Sequence, residues 1–150
     1  MAKDILHDAV FSKVVALLDP IVKDQAGFSA LQAMEAGRYE TTDQVQVVTY
    51  LMQIGLSAIL RSRGMEYDAM IGHSMGEIAA SVVAGCLTPE EGTLIISLRS
   101  KLYRSVMGAG AMLLVNIPYA HMKEELDGQS IIVVAIDASP SSYCGVWTET

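Results

Sequence analysis

The chain has 150 residues, 51% of them hydrophobic, with a formal net charge of −7 at pH 7 and a pI near 4.8. That is one domain's worth of chain with enough apolar material to bury a core, and nothing in it suggests disorder. The acidic balance argues against a nucleic-acid binder and leaves no basic stripe for a membrane surface.

The first residues, Met1-Ala2-Lys3-Asp4-Ile5, carry an early acid and no apolar core of signal-peptide type. The longest apolar stretch, 45–60, is interrupted by Gln46, Thr49, Gln53 and Ser57, which makes it poor material for a membrane span. A cytoplasmic protein without membrane contact is expected. Cys86 and Cys144 lie far apart with no second ligand at metal spacing, so both read as buried thiols and no metal site is expected.

From Asp4 to Asp19 the apolar positions Ile5, Leu6, Ala9, Val10, Val14, Leu17 and Leu18 recur at helical spacing, and Pro20 is expected to close that helix. His7 lies on it beside Asp8 and reads as solvated. A second, shorter helix is expected over Phe28 to Met34, ended by Gly37. Thr41-Thr42-Asp43-Gln44 has the form of a capping box, and a long helix should follow to about Arg61. It is apolar nearly all round, as an enclosed helix would be, except for one polar stripe through Gln46, Thr49 or Tyr50, Gln53 and Ser57. Buried amides on that stripe need partners, either in neighbouring loops or in a substrate pocket. Arg61, Arg63 and Gly64 end the helix with cations near its negative pole and a glycine after it.

The next stretch is the one that carries chemistry. A short apolar run, Ala69 to Ile71, reads as a strand; it enters Gly72-His73-Ser74-Met75-Gly76 and leaves into an Ala-rich helical segment running to about Ala84. Strand, sharp turn and helix in immediate succession around Gly-x-Ser-x-Gly form the pattern of a nucleophile elbow, with Ser74 at its tip. The helix behind it aims unpaired N–H groups at the place where an oxyanion would form, and the Met75 amide is the natural first donor. His73 is adjacent to Ser74 and so points away from it; it reads as an elbow residue rather than the base. The bland alternative is an ordinary Gly/Ser turn.

After Gly85, Thr88-Pro89-Glu90-Glu91 opens another helix with a cap, an early proline and two acids. It carries Leu94, Ile95, Ile96, Leu98, Leu102 and Val106 together with Arg99, Lys101 and Arg104. Gly108 and Gly110 mark a change of character. Ala111 to Ile117 reads as a strand, Ala120 to Leu126 as a short helix, Ile131 to Ile136 as a strand, and Tyr143 to Trp147 as a third strand after the Ser139-Pro140-Ser141-Ser142 turn. This β-α-β-β run is the first part of a ferredoxin-like split βαβ unit.

A serine hydroxyl needs a base within hydrogen-bond reach. The histidines are His7, His73 and His121, and both His7 and His121 fall on helices that look peripheral. The segment is therefore expected to lack its own catalytic histidine and to be a poor catalyst alone.

Gly72-His73-Ser74-Met75-Gly76-Glu77 with Ala79-Ala80 and Ala84-Gly85, then Leu87-Thr88-Pro89-Glu90-Glu91, Leu98-Arg99-Ser100-Lys101-Leu102 and Gly108-Ala109-Gly110-Ala111-Met112, closely resembles the acyltransferase domain of modular polyketide synthases and the related malonyl-CoA:acyl carrier protein transacylases. Thr42 to Gln46 and Arg61 to Gly64 fit the same pattern. The resemblance implies an α/β fold: residues 1–110 as a segment of the large hydrolase-like acyltransferase subdomain, and 111–150 as the first part of the ferredoxin-like small subdomain, with Gly108 to Met112 as the hinge. It implies that Ser74 takes an acyl group from coenzyme A and passes it to the phosphopantetheine thiol of an acyl carrier protein, beside a ketosynthase and other synthase domains. Met75 would give the oxyanion-hole amide. Arg99 would hold the free carboxylate of a malonyl-type unit, a role suited to a planar fork. Gln46 would line the pocket, and His73 is grouped with these two as substrate-binding. No permanently bound cofactor is implied.

Departures from the family pattern matter too. Its Gly-Gln-Gly loop and its catalytic histidine fall outside these residues, so the chain resembles an internal piece of a larger domain. Met75 stands where a glutamine would have pointed to methylmalonyl, which leaves the extender unit open, and Val47 stands where proline is frequent. Two other readings compete: a serine esterase or thioesterase on a similar elbow, against which Arg99 argues because neutral esters give it nothing to grip, and a non-catalytic interaction module.

Overall fold

Asp8 accepts the backbone N–H groups of Val10 and Phe11 at 2.9 and 3.2 Å and starts the first long helix. Helix α1 (Ala2–Ile5) is a single turn before it, and α2 runs Ala9–Ala26. The computed structural model describes residues 2–106 and, beyond them, 114–116, 118, 121, 124–125, 132–136 and 143–147. Pro20 does not close α2, as the sequence suggested, but lies inside it. A proline there removes one backbone donor and crowds the preceding turn. Phe11, Val15, Leu18 and Val22, all fully buried, line one face on both sides of it, so packing carries the helix through. Gly27 ends α2 at φ 79. Asp19, also buried, accepts from Ser29 Oγ at 2.9 Å and Leu31 N–H at 3.1 Å, with Lys23 Nζ at 2.8 Å. It thereby ties α2 to the start of α3 (Ala30–Ala36).

Helix α4 (Thr42–Ser62) forms without the expected capping box. Thr41 is extended, which brings Glu40 N–H rather than Thr41 N–H to Gln44 Oε1, at 2.8 Å. Val47, Tyr50, Leu51 and Ile54 of α4 face the core, but Val45, Leu56 and Leu60 are 45%, 38% and 37% exposed. The helix is thus not enclosed all round: among the described residues it packs on α2, on α3, and on α5 (Gly76–Val83) and α6 (Pro89–Tyr103), which leave one side open. Helix α6 begins with a complete capping box, Thr88 Oγ1 accepting from Glu91 N–H and the Glu91 carboxylate accepting from Thr88 N–H. Its buried face is Gly92, Thr93, Ile96, Ser97 and Ser100, while Leu94, Ile95, Leu98 and Leu102 are exposed. Small residues let α6 approach closely: a Cβ on Gly92 would collide with Tyr50 Oη and Val82 Cγ2. The Tyr50 hydroxyl donates to the Pro89 carbonyl at 3.1 Å, and burial pushes its phenol up to about 12.

The chain divides into two compact units, Met1–Ser105 and Val106–Thr150. The second contains strands β1 (Leu114–Asn116), β2 (Ile132–Ile136) and β3 (Tyr143–Trp147), in the order β1-β3-β2. Leu114 pairs with Gly145 and Ile136 with Tyr143, both antiparallel, so β1 and β2 run parallel on either side of β3. The Ser139 to Ser142 turn, the Gly108 to Met112 hinge and most of the helix expected at Ala120 to Leu126 lie outside the described residues. Ala69 to Ile71, expected as a strand, forms no ladder among the described residues, and Ile71 is 97% exposed. An extended segment becomes a strand only beside a partner, and none of the described residues pairs with it. Cys86 is exposed rather than buried, because Gly85 at φ 81 turns the chain out of α5 onto a surface loop. The side chain of Cys144 lies outside the described residues. No helix among the described residues is long and apolar enough to cross a membrane.

Candidate active site at the Ser74 elbow

The segment entering the turn is held to α4. Tyr67 Oη lies 3.4 Å from Ser57 Oγ, and the Arg61 guanidinium sits 5.6 Å from the centre of the Tyr67 ring while donating to the Val83 carbonyl. Arg61 and Tyr67 thus join the end of α4, the entering segment and the end of α5. The turn itself is tight. A Cβ on Gly72 would meet the backbone of Gly76 and Glu77, so only glycine passes there.

Ser74 has φ 53, and it is the only non-glycine residue with positive φ among the described residues. Such a conformation costs on the order of 1–3 kcal/mol and is kept where surrounding structure enforces it. Here the enforcement is Gly76 N–H donating to His73 O at 2.9 Å and Glu77 N–H to Ser74 O at 3.1 Å, the first bonds of α5. The bend leaves the Ser74 hydroxyl exposed, and the Met75 N–H has no acceptor among the described residues. That free donor stands beside the positive end of the α5 dipole.

Three of the residues singled out in the sequence come together. Arg99, half-buried on α6, donates from Nη1 to Gln46 Oε1 on α4 at 2.8 Å and from Nη2 to Ser74 Oγ at 3.4 Å. Gln46 therefore braces one arm of the guanidinium, and the other arm reaches the serine by a long, weak contact that a better acceptor would displace. His73 is exposed and lines a cleft of 490 Å³ together with Gln53, Leu56, Tyr67, Ile71 and Gly72. Neither Ser74, Gln46 nor Arg99 lines that cleft. His7 is exposed in the turn between α1 and α2.

One pair near the site escaped the sequence reading. Arg104, in a single 3₁₀ turn (Arg104–Val106) after α6, donates from Nε to Asp43 Oδ2 at 2.9 Å and also from Nη2 to the same oxygen. Burial would raise the Asp43 carboxyl, but the hydrogen bonds and charge of Arg104 outweigh it and hold the group below the usual carboxylate range. Asp43 sits in the first turn of α4, where acids are common at helix starts, and that ordinary explanation hid its partner.

Comparison with known proteins gives this geometry a context. A family described as acyl transferase domain matches residues 1–145. The chain is 60% identical over 142 residues to 6-methylsalicylic acid synthase of Aspergillus terreus and 52% identical over 142 residues to mellein synthase of Phaeosphaeria nodorum, covering 95% of this chain and 8% of each synthase. Among solved structures, the acyltransferase domain of the polyketide synthase PpsC of Mycobacterium tuberculosis superposes with a TM-score of 0.86 at 35% identity, over 98% of this chain and 45% of that one. The elbow sequence, the α/β fold of that structural neighbour and the near-complete family match agree that the chain belongs to the acyl transferase domain family, in the company of polyketide synthases.

Proposed function

We propose that this chain carries the acylation site of a polyketide synthase acyltransferase, in which Ser74 takes a malonyl-type group from coenzyme A and yields it to the phosphopantetheine thiol of an acyl carrier protein. Ser74 Oγ attacks the thioester carbonyl and its proton passes to a base. The charge that develops on the carbonyl oxygen is met by the Met75 N–H, and coenzyme A leaves as its thiol. The carrier thiol then attacks the acyl-serine, and the serine oxygen regains a proton. The base is assigned neither to His7, which is exposed between α1 and α2, nor to His73, which lines a cleft that Ser74 does not.

The observation that carries this reading is the Arg99 guanidinium, braced by Gln46 and resting on Ser74 Oγ. A malonyl carboxylate is separated by one methylene from the carbonyl under attack, so a group that grips it must stand beside the nucleophile. A planar fork suits a carboxylate better than any other cation. Coenzyme A and the carrier's phosphopantetheine are substrates here, with no bound cofactor. In the same reading residues 1–110 belong to a hydrolase-like subdomain, and 111–150 begin a ferredoxin-like one, for which the β1-β3-β2 order of a split βαβ unit is support. A ketosynthase and other synthase domains would be its neighbours, in the cytoplasm, where the exposed Cys86 stays a thiol.

The test is mass analysis of the full-length protein after incubation with malonyl-CoA. One malonyl group should appear on the peptide containing Ser74, disappear on addition of carrier protein, and be missing in S74A. Rapid release of free malonate regardless of carrier protein would identify a thioesterase instead and overturn the proposal.

A further inference from the structure

Helix α6 has an unusual inner face where it matters most. Beyond Ile96, the residues it turns toward the core are Ser97 and Ser100, whose buried hydroxyls have no hydrogen-bond partner among the described residues. The large apolar residues of this half, Leu98 and Leu102, are 41% and 71% exposed. Apart from the half-buried Tyr103, large apolar side chains therefore do less to fix the rotation and axial position of the C-terminal half of α6, which carries Arg99, than they do around Ile96. Among the described residues, two polar cross-links tie this half and the turn after it to α4: Arg99 to Gln46, and Arg104 to Asp43.

These links are placed to act together. Asp43 and Gln46 are three residues apart on α4 and so share a face. Arg104 follows Arg99 by little more than a helical turn. Asp43 is 2% exposed, and a carboxylate so buried keeps its cation, because leaving it unpaired is unfavourable. The Arg99 to Gln46 bond is neutral on one side and half-buried, hence the weaker of the two.

We propose that Asp43 and Arg104 are positioning residues for the acyl site: their ion pair pins the end of α6 to the start of α4, and so aims the Arg99 guanidinium at the carboxylate of an acyl group on Ser74. The pair touches no substrate. It acts through Arg99, and the inference rests on the role given to Arg99 above.

The test compares malonyl-CoA with acetyl-CoA as donors, which differ in the carboxylate that Arg99 grips, in the full-length protein and its R104Q, R104K and R99A variants. R104Q should lower the malonyl-to-acetyl ratio of kcat/KM by about tenfold, the size expected for loss of roughly one charge-assisted hydrogen bond. The change should fall mainly on KM for malonyl-CoA. R104K, which keeps the charge without the fork, should restore part of the ratio. If R104Q lowers both donors in equal proportion, or leaves the ratio unchanged, the pair is merely structural and the proposal fails. Should R104Q not fold, D43N takes its place, and a wild-type ratio in D43N would overturn the proposal. R99A separates the two readings: a ratio unchanged in R99A would defeat the role of Arg99 itself, whereas a ratio lost in R99A and kept in R104Q would defeat only the positioning role.

Discussion

Ser74 and Asp43 are each held in a costly state, the serine at a positive φ and the carboxylate out of solvent. The elbow is written locally: glycines at 72 and 76 flank a serine whose φ of 53 follows from the bend they permit. The Asp43 to Arg104 pair spans 61 residues, and no spacing rule connects an acid in one helix's first turn with a cation after another helix's last. Titration makes such buried acids visible. The carboxyls of Asp19 and Asp43 are both held below their ordinary value of 3.8, against the effect of burial, by Lys23, Ser29 and Leu31 in one case and Arg104 in the other. A carboxyl whose native pKa is depressed adds stability above its unfolded pKa, and that contribution is lost as pH falls through the lowered native value. Stability measured by denaturant should therefore hold from neutrality down to about pH 4 and fall below it, with a shallower fall in D19N, because only there do the unfolded chains take up protons that the native acids refuse. A stability that rises on acidification below about pH 4 would contradict this.

At the scale of elements, the helix starts and stops were largely legible because they are local chemistry. Thr88 caps α6 ahead of a proline and two acids, as expected, and Gly37 and Gly85 end helices at φ 66 and 81. What failed, apart from the capping box expected at Thr41, was whatever depended on neighbours. Pro20 was overridden by the buried ridge of Phe11, Val15, Leu18 and Val22. The apolar residues of α6 were legible as helical, but not that the smaller Gly92, Thr93, Ser97 and Ser100 would face inward, since close helix contact selects for size as much as for polarity. Gly92 tests that contact. Alanine favours a helix by about 1 kcal/mol over glycine, yet its Cβ would collide with Tyr50 and Val82, and overpacking of this kind costs about 1–3 kcal/mol. The clash also threatens the Tyr50 bond to the Pro89 carbonyl. G92A should therefore lower the melting temperature by several degrees; an unchanged or raised value would show that α6 can shift away without cost.

For the whole molecule, the resemblance implied an α/β fold, with a strand-turn-helix reading and a later β-α-β-β run beside it. The described residues give six helices in one unit and a three-stranded sheet in the other. The expected strand at 69–71 has no partner among the described residues, with Ile71 97% exposed, because pairing is a property of two segments and a sequence pattern describes one. The chain spans 8% of the synthases it matches, so its chemistry has to be measured in the full-length protein. What the first unit contributes is the meeting of α4, the elbow and α6, which puts an amide oxygen, a hydroxyl and a guanidinium within hydrogen-bond reach of one another. The most direct test is the rate at which Ser74 is acylated by malonyl-CoA relative to acetyl-CoA, in wild-type protein and in R99A. A clamp worth a charge-assisted pair predicts a malonyl preference that falls by roughly 10- to 100-fold in R99A while acetyl loading persists. Equal loading from both donors in the wild type, or a malonyl preference that survives the loss of Arg99, would contradict it.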